Sequence, residues 1–149
     1  VEKAGDLNVL YVFDFETPAN TPATAKKRTA LRMSAGIIQK IEIVIPPGPA
    51  HLLHLQITDG LHQVWPSNEE GDFAGDNDRI DFEDYYELLQ PPFELYAYTW
   101  NEDEVYPHRV IIRIGVKEPE VAPEITPPII GPEEEIIPLT EEQLQEGIT

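Results

Sequence analysis

Residues 52–65 read LLHLQITDGLHQVW, and their pattern decides the fold class. Two runs in which apolar and polar residues alternate flank Asp59-Gly60, a pair with the preferred chemistry for a tight hairpin turn. Alternation at period two gives a strand one buried face and one open face. Pro66 stops the second run, because proline has no amide to donate to a ladder.

The same period recurs on both sides of the hairpin. Upstream, residues 31–45 (LRMSAGIIQKIEIVI) put Ile37, Ile41, Ile43 and Ile45 on one face with Gln39, while Lys40 and Glu42 point the other way. The β-branched residues favour a strand, ended by PPGP at 46–49. Residues 7–15 (LNVLYVFDF) align Leu7, Val9, Tyr11, Phe13 and Phe15. Between these two strands, residues 18–30 hold turn formers, two prolines and the basic triplet Lys26, Lys27, Arg28, and read as a loop or arm. Downstream, an acidic loop at 67–78 leads to a short strand at 79–82, and DYYELLQ reads as a brief helical turn before Pro91-Pro92. FELYAYTW at 93–100 separates Phe93, Leu95 and Ala97 from Tyr96, Tyr98 and Trp100. RVIIRIGVK at 109–117 turns Val110, Ile112, Ile114 and Val116 inward. About seven strands without a long helix between them imply an all-β, antiparallel β-sandwich of jelly-roll type over residues 1–117.

Charge and proline mark off the remainder. The 149 residues carry a formal net charge of −18 and 15 prolines, a proline share about twice the usual one. Such acidity excludes nucleic-acid phosphate and an anionic membrane surface as main partners. No apolar run approaches the roughly 20 residues of a bilayer span, and the first residues lack the pattern of a signal peptide. Residues 118–149 hold nine Glu and no Lys or Arg, which leaves −9 on residues 1–117. Pro119, Pro123, Pro127, Pro128, Pro132 and Pro138 each remove an amide donor, so extended, polyproline-like backbone is expected there. A purely solvating tail would not keep Val121, Ile125, Ile129, Ile130, Ile136, Ile137, Leu139 and Leu144 among those prolines. The arm is therefore expected to dock on a neighbouring chain. Thr140 to Gln143 fits a capping box, which predicts a short helix over 141–146. The basic triplet reads either as a solvated loop or as a partner for Glu133–Glu135 of a neighbour.

Signals for catalysis are thin. GxSxG, the P-loop and the dinucleotide fingerprint are all missing. His54 and His62 would lie across the hairpin as a two-His pair without an obvious third ligand, whereas His51 and His54 face opposite sides of a strand. The acidic loop, with Glu69, Glu70, Asp72, Asp76, Asp78 and Asp81, has calcium-type oxygen ligands but no EF-hand spacing, and reads as solvated. No enzyme activity, metal or other cofactor is expected. Tyr96, Tyr98 and Trp100 could form a sugar-stacking platform, a second buried face or a subunit contact.

Taken together, GIIQKIEIVIPPG at 36–48, HLLHLQITDGLHQVWPSN at 51–68 and PPFELYAYTWNEDEVYPHRVIIRIGV at 91–116 resemble small accessory virion proteins of tailed phages in overall pattern, over residues 20–117. The resemblance implies a capsid decoration, cement or spike protein on the virion surface. It further implies a homo-oligomer, often a trimer, whose terminal arms grip sister subunits and the major capsid protein. The alternative is an extracellular carbohydrate-binding or adhesin-type module.

Overall fold

The computed structural model describes residues 7–60 and 62–118. The expectations for the arm and for the helix at 141–146 lie outside these residues. Eight strands follow one another: β1 (Leu7–Thr17), β2 (Lys27–Arg32), β3 (Gly36–Ile45), β4 (Leu53–Asp59), β5 (His62–Trp65), β6 (Asp78–Leu88), β7 (Glu94–Asn101) and β8 (His108–Glu118). They form two four-stranded sheets, ordered β1-β8-β3-β6 and β2-β7-β4-β5. Every connection except the β4–β5 hairpin crosses from one sheet to the other. That is the strand order of a jelly roll, two interlocked Greek keys closing over one core.

The core follows from the alternation. Ile41, Ile43 and Ile45 of β3, Leu53, Leu55 and Ile57 of β4, Leu95 and Ala97 of β7, and Val110, Ile112, Ile114 and Val116 of β8 are all buried between the sheets. Tyr11, Phe13 and Phe15 of β1 pack against this cluster from one side, and Ile80, Phe82 and Tyr86 of β6 from the other. The long connections gather at one end, where Asn20 N–H donates to the Asp103 carbonyl, His51 N–H to Gly75 and Glu102 N–H to Leu52. At the opposite end, Met33 N–H donates to the Phe93 carbonyl. β8 finishes there, with Glu118 accepting a hydrogen bond from Ser34.

Four local expectations change. Ile38, not Ile37, shares the buried face with Ile41, Ile43 and Ile45, because a bulge between Ile38 and Lys40 shifts the alternation. The helical turn at DYYELLQ is instead the second half of β6, because β3 supplies a pairing edge: Gly36, Ile37 and Ile38 lie opposite Leu88, Glu87 and Tyr86. The expected single run 31–45 is two strands broken at residues 33–35, and its first part joins Lys27 and Arg28 in β2. In the hairpin, Asp59 pairs with His62, so the connection starts at Gly60 (φ 63°) rather than being centred on Asp59-Gly60.

Candidate docking surface

The outer face of the β2-β7-β4-β5 sheet brings together two features that are far apart in the chain. β7 turns Leu95, Ala97 and Thr99 inward, so Tyr96, Tyr98 and Trp100 project outward. Register sets Arg28 opposite Tyr98, Ala30 opposite Tyr96 and Arg32 opposite Glu94 on one flank. On the other flank it sets His54 opposite Trp100 and Gln56 opposite Tyr98. Lys26 and Arg28 therefore share one surface with the aromatic stripe.

The contacts are specific. Lys26 Nζ lies 4.5 Å from the Trp100 ring centroid and donates to Gln56 Oε1 at 3.0 Å. Arg28 places its guanidinium 4.8 Å from the Tyr96 ring centroid. Lys27 faces the opposite way, 5.5 Å from the Phe15 ring centroid, and donates to the Glu16 carbonyl at the edge of the other sheet. A cation over an aromatic face gains from the ring quadrupole, about 0.5–1 kcal/mol at an exposed site. Arg32 pairs with Glu94 at 2.8 Å. The Glu94 carboxyl is lowered below its ordinary value, first by the Tyr96 hydroxyl and then by Arg32, and Tyr96 is raised in turn by that carboxylate.

How the cations are partnered sets this strip apart. Arg32, Lys40, Arg79, Arg109 and Arg113 each have a carboxylate partner. Among the described residues, Lys26, Lys27 and Arg28 form no ion pair, although residues 1–117 are strongly acidic. They rest on aromatic rings and neutral oxygens instead. Arg28 still lowers the Glu94 carboxyl through its charge, yet cations without a direct ion pair are gathered here, at the start of β2, an outermost strand of its sheet.

Trp100 is not an open platform. His54 stacks on it at 4.9 Å between centroids with 6° between planes, Lys26 lies over it, and it is only 7% exposed. His54 is itself held by Asp72 at 2.7 Å, with Glu102 at 3.4 Å from its other nitrogen. This cluster was not foreseen in the sequence. The period-two spacing of His54 and Gln56 against Tyr98 and Trp100 was the available signal, but register cannot be counted from spacing alone.

His54 and His62 do not meet, since β5 pairs only with the last part of β4 and His62 sits opposite Asp59. The carboxylates of the acidic loop are engaged separately. Asp72 binds His54, Asp76 accepts the Gly48 and Ala50 amides, and Asp81 lies beside Lys40 and Arg79. Among the described residues no group of three His, Cys, Asp or Glu side chains is arranged to hold a metal ion. The arm residues Val121, Ile125, Ile129, Ile130, Ile136, Ile137, Leu139 and Leu144 lie outside the described part.

No protein-family model matches the chain, and no curated protein matches it in sequence. Among solved structures, a chain of the cyanophage Pam1 capsid asymmetric unit matches with a TM-score of 0.54 at 9% identity, covering 80% of this chain and 90% of that one. The likeness is one of fold. Two further matches score lower. FLHE reaches 0.44 at 8% identity over 74% of this chain and 98% of that one. A chain of tomato aspermy virus reaches 0.42 at 11% identity over 86% and 84%. Neither carries an argument about this chain.

Proposed function

We propose that this chain is a non-enzymatic structural protein of a virion. It sits on the particle surface and its C-terminal arm binds neighbouring subunits, both other copies of itself and the major capsid protein. One observation carries the reading: among the described residues a continuous buried core is built from residues 31–116, with the β1 aromatics packed against it. On this reading the apolar residues strung between the arm's prolines belong to no core of their own domain. Apolar side chains with no role in their own core are suited to covering another molecule. A fold shared with a cyanophage capsid chain supports the same setting. Several weak contacts along a tethered arm add through effective concentration rather than through any single strong one.

The test is particle binding by a chain ending at Glu118, the last residue of β8. The shortened protein is expected to fold and to co-sediment poorly with particles that retain the full chain. Undiminished occupancy overturns the proposal. The glycan-binding alternative needs an open ring for a sugar to stack on, and the cover over Trp100 by His54 and Lys26 weighs against it.

A further inference from the structure

The strip on β2 has the chemistry of a receptor, and the chain itself contains a matching ligand. Lys26, just before β2, and Lys27 and Arg28, its first residues, are adjacent cations that form no direct ion pair among the described residues, at an outermost strand of the β2-β7-β4-β5 sheet. Rings lie beneath them: Trp100 under Lys26, Phe15 under Lys27, Tyr96 under Arg28. Cations held this way remain charged and keep donors free for an arriving carboxylate. Glu133, Glu134 and Glu135 are the densest acidic run of the arm, flanked by Ile129-Ile130 and Ile136-Ile137, and no cation lies between Glu118 and Thr149 to neutralise them. Three acids bordered by isoleucines complement, in charge and polarity, Lys26 and Arg28 over their aromatic rings, with Lys27 turned to the other side of the same strand edge.

We infer that Glu133–Glu135 of one copy docks on the Lys26–Arg28 strip of a second copy. This rests on the arm-docking reading above and names the arm's receptor. The direction of the chain favours a second copy over the same one. β8 runs away from the end where Lys26 lies beside Trp100, and finishes at the end where Glu118 meets Ser34. Pro119 disfavours a helical Glu118, and the later prolines favour continued extension. Glu133 lies fifteen positions beyond Glu118, a reach of roughly 45 Å in polyproline geometry. An arm that continues in the direction of β8 would carry Glu133–Glu135 away from its own strip and toward a second copy. A head-to-tail contact of this kind joins different surfaces of the two copies, so it builds a closed ring or an open chain rather than requiring a two-fold axis.

The test uses the full chain in sedimentation velocity over a range of concentrations. Self-association is expected, weakening as salt rises from about 0.1 M to about 1 M, where the screening length shrinks from roughly 10 Å to roughly 3 Å. E133K/E134K/E135K in one protein, or K26E/K27E/R28E in another, is expected to weaken it by about tenfold or more, the combined effect of three exposed pairs. Mixing the two reversed proteins is expected to restore it, because each then offers the other a matched site. A wild-type chain that stays monomeric at every concentration overturns the inference, as does salt-insensitive association or failure of the mixture to recover. If the purified chain is monomeric but arm removal still abolishes particle binding, this inference falls and the assembly reading stands.

Discussion

Asp76 shows how one side chain can hold a loop in an unfavourable shape. Gly48, Ala50 and His51 all have positive φ, at 132°, 47° and 69°, a region that non-glycine residues avoid. The Asp76 carboxylate accepts the amides of Gly48 at 2.7 Å and Ala50 at 3.2 Å and so fixes the turn that follows β3. The Gly48 amide, then the Ala50 amide, hold its carboxyl below the usual range, with His51 and His108 adding smaller effects. A carboxyl whose folded value lies below its unfolded one, near 4, stabilises the fold above that pH and loses this contribution as pH falls. Asp76→Asn keeps an acceptor oxygen but loses the charge. The variant should have a lower urea midpoint than the wild type at pH 6, and the gap should narrow below about pH 4. A gap independent of pH would contradict this account. None of it was visible in the sequence, where Asp76 was one of several loop acids. Inward and outward faces were visible, as with Leu95 and Ala97 against Tyr96 and Tyr98, because alternation encodes them directly.

At the scale of elements, the strands with strict alternation were legible and those relying on a neighbour were not. β7 and β8 follow from their own residues, and so does β3 from Ile41 to Ile45, beyond its bulge. The second half of β6 does not, because DYYEL has no period-two signal and becomes a strand only when paired with residues 36–38. β2 was hidden for a related reason. Its charges read as loop composition, yet an outermost strand tolerates cations on its open face and is protected by them from edge-to-edge pairing. Gly36 opens β3 at a point of close approach. A Cβ there would lie 2.6 Å from Val116 Cγ1 and 2.8 Å from the Lys117 carbonyl oxygen. Backbone cannot retreat as a flexible side-chain tip can. Gly36→Ala is therefore expected to reduce the unfolding free energy by about 1–3 kcal/mol, the usual cost of overpacking. Equilibrium denaturation checks this, and an unchanged midpoint with unchanged slope would show that β3 and β8 can separate freely at that end.

For the molecule as a whole, composition changes at residue 118, and the last described strand, β8, runs to Glu118, where Ser34 and Tyr11 meet its side chain. The jelly-roll order was only an expectation from strand count, since which strand lies beside which depends on contacts that no local pattern records. The junction of Lys26 and Arg28 with the aromatic stripe was likewise out of reach, as it follows from β2 pairing with β7 across some seventy positions of chain. The assembly reading depends on a domain that is complete without its arm. Most directly, one can compare the denaturant unfolding of the full chain with that of a chain ending at Glu118, both dilute enough to be monomeric. The two unfolding free energies should agree within about 0.5 kcal/mol, the range of changes that remove no core contact. A loss of several kcal/mol in the shortened chain would mean that the arm completes its own domain's core, and would contradict its assignment to other subunits.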